Sequence, residues 1–139
     1  MRLSYHIVVL LLILCPLGCG NSGPQKSALS GTVSYDGTPV ADGRITFVPT
    51  GEQGTSAGDV IKDGKYSIAA DKGPTFGKYK VQINWSKKTG NQIEVGSPAP
   101  PGTKIDEVKE AIPVKYNAQT TLEKDVNSAK QVIDFPLEK

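Results

Sequence analysis

Hydrophobic and polar residues alternate with a period of two along much of this chain. Leu29, Gly31, Val33 and Tyr35 alternate with Ser30, Thr32 and Ser34, and Ile45 and Phe47 alternate with Arg44, Thr46 and Val48. Tyr66, Ile68 and Ala70 follow Gly64 in the same phase. In "KYKVQINWS", Tyr79, Val81, Ile83 and Trp85 fall on one side and Lys80, Gln82, Asn84 and Ser86 on the other. Ile133, Phe135 and Leu137 repeat the pattern near the end. Successive side chains of a strand point to opposite faces, so each stretch predicts a half-buried strand. A less regular strand is predicted around Thr121 to Val126. Val33, Phe47, Ile68, Val81, Ile83 and Phe135 are expected to share one core between two sheets.

Helical spacing is scarce. "KIDEVKEAIP", from Lys104 to Pro113, predicts one or two helical turns, with Asp106 near the start and Pro113 as the stop. The preceding "GSPAPPGT" is rich in Pro and Gly and predicts an irregular loop. Short strands separated by turn signals indicate an all-β sandwich or barrel. No internal repeat is visible.

Three Asp-Gly pairs punctuate the pattern: Asp36-Gly37, Asp42-Gly43 and Asp63-Gly64. Asp-Gly suits the type I′ hairpin turn, which needs positive φ at both central residues. A calcium loop instead needs closely spaced oxygen ligands, as in D-x-D-x-D-G, and the chain has no such spacing. Asp36-Gly37 ends one alternating strand, Asp42-Gly43 begins the next, and Asp63-Gly64 joins two strands as a hairpin signal. All three are therefore read as turn residues, and no metal ligand is assigned.

Ahead of the strands, residues 1–18 have the layout of a secretory signal. Arg2 precedes an unbroken apolar run from Ile7 to Cys15, and small residues follow. The run is short of the roughly 20 apolar residues that span a bilayer. Gly18-Cys19 resembles the end of a bacterial lipoprotein signal, in which the cysteine is lipidated and becomes the new N-terminus. Pro16 stands where that pattern prefers Leu. Residues 19–28, including "GNSGPQKS", read as the lipidated N-terminus and a flexible tether, and residues 29–139 as the domain. Gly20 after the cysteine points to the outer membrane in a cell with two membranes.

Without residues 1–18, 121 of the 139 residues remain, enough for one core. They carry 15 basic and 14 acidic side chains, since Arg2 is removed, and a near-neutral chain lacks the electrostatic footprint of a nucleic-acid binder. Lys78, Lys80, Lys87 and Lys88 are read as a solvated strand face. The one histidine, His6, lies in the signal, and Cys19 is the one remaining cysteine. The mature chain therefore has no internal disulfide, no Cys/His zinc site and no His-dependent nucleophile. No catalytic residue and no cofactor is assigned.

"SGTVSYDGTPVADGRITFVP", "KDGKYSIAA" and "FGKYKVQI", in this order, resemble the carboxypeptidase regulatory-like family. "AIPVKYN" and the closing "IDFPL" resemble a lipoprotein branch of it. The resemblance covers roughly Leu29 to Leu137. It implies a transthyretin-like (prealbumin-like) Greek-key β-sandwich of about seven strands, named for a non-catalytic domain appended to metallocarboxypeptidases. Hydroxyisourate hydrolases share the transthyretin-like fold, but they use histidines and a C-terminal Tyr-Arg-Gly-Ser; this chain ends Pro-Leu-Glu-Lys.

The expectation is a non-catalytic, lipid-anchored interaction or structural module of the bacterial cell envelope, with the membrane and an unidentified envelope protein or polysaccharide as partners. The alternative is an extracytoplasmic carbohydrate- or peptide-binding protein. It would use exposed aromatics, with Trp85, Tyr79 and Tyr116 as candidates, or strand addition at a sheet edge. Tyr79 and Trp85 lie on the apolar face and are expected in the core. A more distant reading is a carboxylate-dependent enzyme pairing Glu107 with Glu110, or Asp59 with Asp63.

Overall fold

The computed structural model describes residues 23–52 and 54–139; the stretch read as a signal, residues 1–18, and the residues Cys19 and Gly20 lie outside the described residues. Among the described residues, eleven strands and one 3-10 turn follow one another. They are β1 (Ala28–Tyr35), β2 (Thr38–Pro39), β3 (Asp42–Pro49), β4 (Ala57–Lys62), β5 (Lys65–Ile68) and β6 (Gly77–Asn84). Then come β7 (Ser86–Glu94), β8 (Lys104–Glu110), the 3-10 turn Val114–Tyr116, β9 (Glu123–Val126), β10 (Lys130–Val132) and β11 (Phe135–Leu137). The alternating stretches all became strands, and no α-helix occurs among the described residues.

Nine strands form one curled, mainly antiparallel sheet in the order β10-β1-β5-β4-β3-β6-β9, with β2 and β11 also pairing with β1. The sheet folds over on itself, as in a β-sandwich, because β4 and β5 pair only at Lys62↔Lys65 beside their connecting turn and then part. One layer is therefore β10/β11-β1-β5 and the other β4-β3-β6-β9. Phe47 of β3 lies between them, with ring centroids 6.2 Å from Tyr66, 6.4 Å from Tyr79 and 6.3 Å from Phe135. Offset and edge-on rings at this spacing add to the gain from area burial. Val33, Phe47, Ile68, Val81, Ile83 and Phe135 all belong to the buried cluster, as their alternation predicts.

β10 and β11 pair with β1 in parallel and are in effect one strand broken at Ile133-Asp134. At the break, the Asp134 carboxylate accepts hydrogen bonds from Thr32 N (2.7 Å) and Thr32 Oγ1 (2.8 Å), replacing the missing ladder partner. Gly31 is required opposite the break, because a Cβ there would overlap the Ile133 carbonyl.

All three Asp-Gly pairs fall at strand ends, as the alternation indicates, but only two of them have turn geometry. Asp36 and Asp63 both have φ of 49°, and Gly37 and Gly64 both have φ of 74°, the positive values a type I′ turn demands. Asp42-Gly43 is instead the opening of β3, and positive φ occurs at neither residue. Glycine is needed there for close approach, since a Cβ on Gly43 would press on Asn84 O and the Val40 side chain.

Packing also begins ahead of Leu29. Phe76 N donates to Gln25 O (3.3 Å), Ser27 N donates to Pro74 O (2.8 Å), and Ser27 is fully buried. Part of the stretch assigned to the tether thus lies against the domain.

The largest departure is the predicted helix. Lys104–Glu110 is strand β8, paired antiparallel with β7 in a separate two-stranded ribbon. β6 starts at the pole where the chain enters, near Pro74, and ends at Asn84 at the opposite pole, where the ribbon begins. Every residue of β7 is exposed.

Candidate functional site

Two features stand apart from the packed sandwich: the ribbon, and the cleft opened where β4 and β5 part. The ribbon is held at its root by Glu110. Its Oε1 accepts from Trp85 N (2.7 Å) and Ile112 N (3.2 Å), and its Oε2 accepts from Asn84 Nδ2 (3.1 Å). Farther out, Lys88 and Asp106 pair at 2.6 Å. Glu107 accepts from Thr89 Oγ1 (2.6 Å) and Asn91 Nδ2 (3.2 Å), across an irregularity between Lys88 and Gln92. These bonds, Thr89 first, then Asn91 and Lys109, hold the Glu107 carboxyl below its ordinary range. Ile93 faces Ile105 across the ribbon, and both remain about half exposed.

The cleft has a volume of ≈ 680 Å³. Its walls include Ser30 and Thr32 of β1, Val60 and Lys62 of β4, and Lys65 and Ser67 of β5. Asp59 and Asp134 supply carboxylates, and Lys62 and Lys65 sit at the apex. Tyr66 borders the cleft with its ring buried, and its hydroxyl donates to Ile133 O (2.8 Å). Burial first, then the Asp134 carboxylate, pushes the Tyr66 phenol well above its usual range, so it stays protonated and structural. The two Thr32 bonds, the backbone one first, hold Asp134 below the usual carboxylate range.

The sequence candidates separate in space. Glu107 and Glu110 are three residues apart on a strand, so their side chains leave opposite faces and each is tied to different partners. Asp59 accepts from Val60 N at 2.8 Å, while Asp63 lies in the hairpin turn at the far end of β4. Four residues of strand span about 13 Å, too far for a carboxylate dyad. Among the described residues no cluster of three or more His, Cys, Asp or Glu is placed to hold a metal ion.

Tyr79 and Trp85 are buried at 1% and 5% exposure, as expected for core aromatics. Tyr116 is half-buried, and its hydroxyl accepts from Glu138 N (3.2 Å). Among the described residues Phe76 is the one exposed aromatic, and its place beside a Pro-Gly loop left no periodic signal to find it by. The lysine cluster divides. Lys78 and Lys80 stay on the solvent face of β6, Lys87 lies 3.7 Å over the Trp85 ring, and Lys88 is paired. The cleft escaped the sequence reading because it arises from where two strands part, and no residue motif encodes that.

Comparison of the chain with family models, with curated proteins and with solved structures finds no match.

Proposed function

We propose that this protein is a non-catalytic, lipid-anchored binding module of the bacterial cell envelope, related to the carboxypeptidase regulatory-like family and built on its transthyretin-like Greek key. The observation that carries the proposal is the sequence of Arg2, the apolar run to Cys15, and Gly18-Cys19. Two features of the domain support it. The chain enters the domain at the pole near Pro74, and the ribbon leaves from the opposite pole. An anchor at Cys19 would therefore hold the entry pole toward the membrane and present the ribbon outward. The cleft walls, meanwhile, combine the exposed Val60 and Val132 with polar and charged side chains, a mixture suited to recognition.

For the carbohydrate-binding alternative, Tyr79 and Trp85 are in the core, which leaves the half-buried Tyr116 and the exposed Phe76 as its aromatics. Peptide binding does not need an aromatic platform. Intact-mass analysis of the mature protein and membrane fractionation test the anchor. Acyl mass on Cys19 is expected, and Cys19→Ser should leave an uncleaved or soluble form. An unmodified mature N-terminus would overturn this reading.

A further inference from the structure

Hydrogen bonding sets the phase of both strands that border the cleft. Asp63 N donates to Ala41 O at 2.9 Å. Antiparallel pairs alternate between bonded and non-bonded, so Ile61, Asp59 and Ala57 bond to Gly43, Ile45 and Phe47. The backbone groups of Gly58 and Val60 then point away from β3, toward β5. On the other side, Val33 N donates to Gly64 O (2.8 Å), so Tyr66 and Ile68 bond to β1 and Ser67 points back toward β4. Lys62↔Lys65 closes the apex, and Val60 and Ser67 would form the next pair. The parting of the layers leaves that pair unmade.

Two strand edges thus face each other across an open wedge. Val60 N–H is bonded at 2.8 Å to the carboxylate of the preceding residue, Asp59, a local contact that covers the donor without filling the edge. We infer that the wedge binds an extended peptide by strand addition to the free edge of β4, with an acidic peptide side chain beside Lys62 and Lys65.

The spacing of the backbone groups along this edge supports a peptide as the occupant. Gly58 and Val60 present donors and acceptors every second residue, about 6.8 Å apart, the repeat at which an extended backbone presents its own. The peptide carbonyl displaces the Asp59 carboxylate from Val60 N–H. The freed carboxylate then lies on the side away from the lysines and favours a basic side chain at the other end of the peptide. This inference rests on the reading of the domain as a binding module and is independent of the anchor.

The test is selection of a displayed library of random peptides on the full mature protein in detergent, followed by affinity measurements on synthetic copies of the enriched sequences. Enriched peptides should alternate β-branched residues and carry an acidic residue toward one end. Methylating the peptide backbone nitrogens one at a time should weaken binding about fivefold at every second position, the equivalent of about 1 kcal/mol for each lost bond, with little effect between. The double variant Lys62→Glu, Lys65→Glu should bind at least tenfold more weakly, and Val60→Pro should abolish binding. If Val60→Pro fails to fold, the methylation scan still decides, since it leaves the protein unchanged. No enrichment, a scan without a period of two, undiminished binding to the lysine double variant, or competition by oligosaccharides alone would overturn the inference. An unacylated Cys19 would overturn the anchor and leave this result intact.

Discussion

Strands β6 and β7 are consecutive in the chain, separated by Trp85 alone, and they bury opposite amounts of side chain. In β6, Tyr79, Val81 and Ile83 are buried, whereas no residue of β7 is. β6 is flanked by β3 and β9 and has the opposite layer beneath it; β7 has only β8 beside it. A lone two-stranded hairpin is marginal in water, so the ribbon owes its order to local pairing and to its root at Glu110. The contrast teaches that strand geometry and strand stability are separate properties. The sandwich draws stability from shared burial, and the ribbon from pairwise polar contacts.

Substitutions can break this contrast or sharpen it. Phe47→Ala should have the largest effect. It removes the ring that contacts Tyr66, Tyr79 and Phe135, at about 3–5 kcal/mol, read by chemical denaturation. A loss below about 1 kcal/mol would mean the layers are not joined through this ring.

Gly31→Ala should come next, at about 2–3 kcal/mol, because the added methyl meets the Ile133 carbonyl and overpacks the β1–β11 seam. Gly37→Ala is its control. That site has open space around it, and the cost is the strain of φ 74° alone, about 1 kcal/mol.

Glu110→Ala should cost about 1–2 kcal/mol, because it strips acceptors from Trp85 N and Ile112 N. Amide exchange in β7 and β8 should accelerate more than in β6. Uniform acceleration would show that ribbon and sandwich unfold as one unit.

Acid separates the two regions by a smaller effect. The Asp134 carboxyl titrates lower in the folded chain than in the unfolded one because of Thr32. Its contribution is therefore fully present above the unfolded value, near pH 4, and is lost as pH falls through the lower folded value. Asp134→Asn should flatten the global stability profile in that window. Glu107 is also lowered, by Thr89, Asn91 and Lys109, yet Glu107→Gln should leave the global profile unchanged and alter only the ribbon's exchange rates. Denaturant titrations between neutral and acidic pH distinguish the two.

The smallest effect is expected from Ile93→Ser with Ile105→Ser, within about 0.5 kcal/mol, comparable to Lys80→Ala on the solvent face of β6. A loss above about 2 kcal/mol would show that the ribbon's apolar pair is part of the core.

Local chemistry made much of the sandwich legible. Alternation at Tyr79, Val81 and Ile83 needs only the period of a strand, and Asp36-Gly37 and Asp63-Gly64 need only the cost of positive φ. Asp42-Gly43 has the same dipeptide without the same role. Its glycine answers to Asn84 and Val40, which are distant in sequence or set by the fold of the loop.

Lys104–Glu110 was misread because Ile105, Val108 and Ile112 follow helical spacing and Lys and Glu favour helices. Its pairing with β7 supplied the hydrogen bonds that decided otherwise. The sequence by itself determined which faces are apolar, where the chain reverses, and that no histidine follows His6. Only the tertiary structure decided that β4 and β5 part after one pair, that Asp134 caps Thr32 across the β1 seam, and that the ribbon stands clear of the sandwich. Periodicity records each residue's own face. These features depend on contacts between residues as far apart as Thr32 and Asp134, whose meeting is set by how the sheet curls.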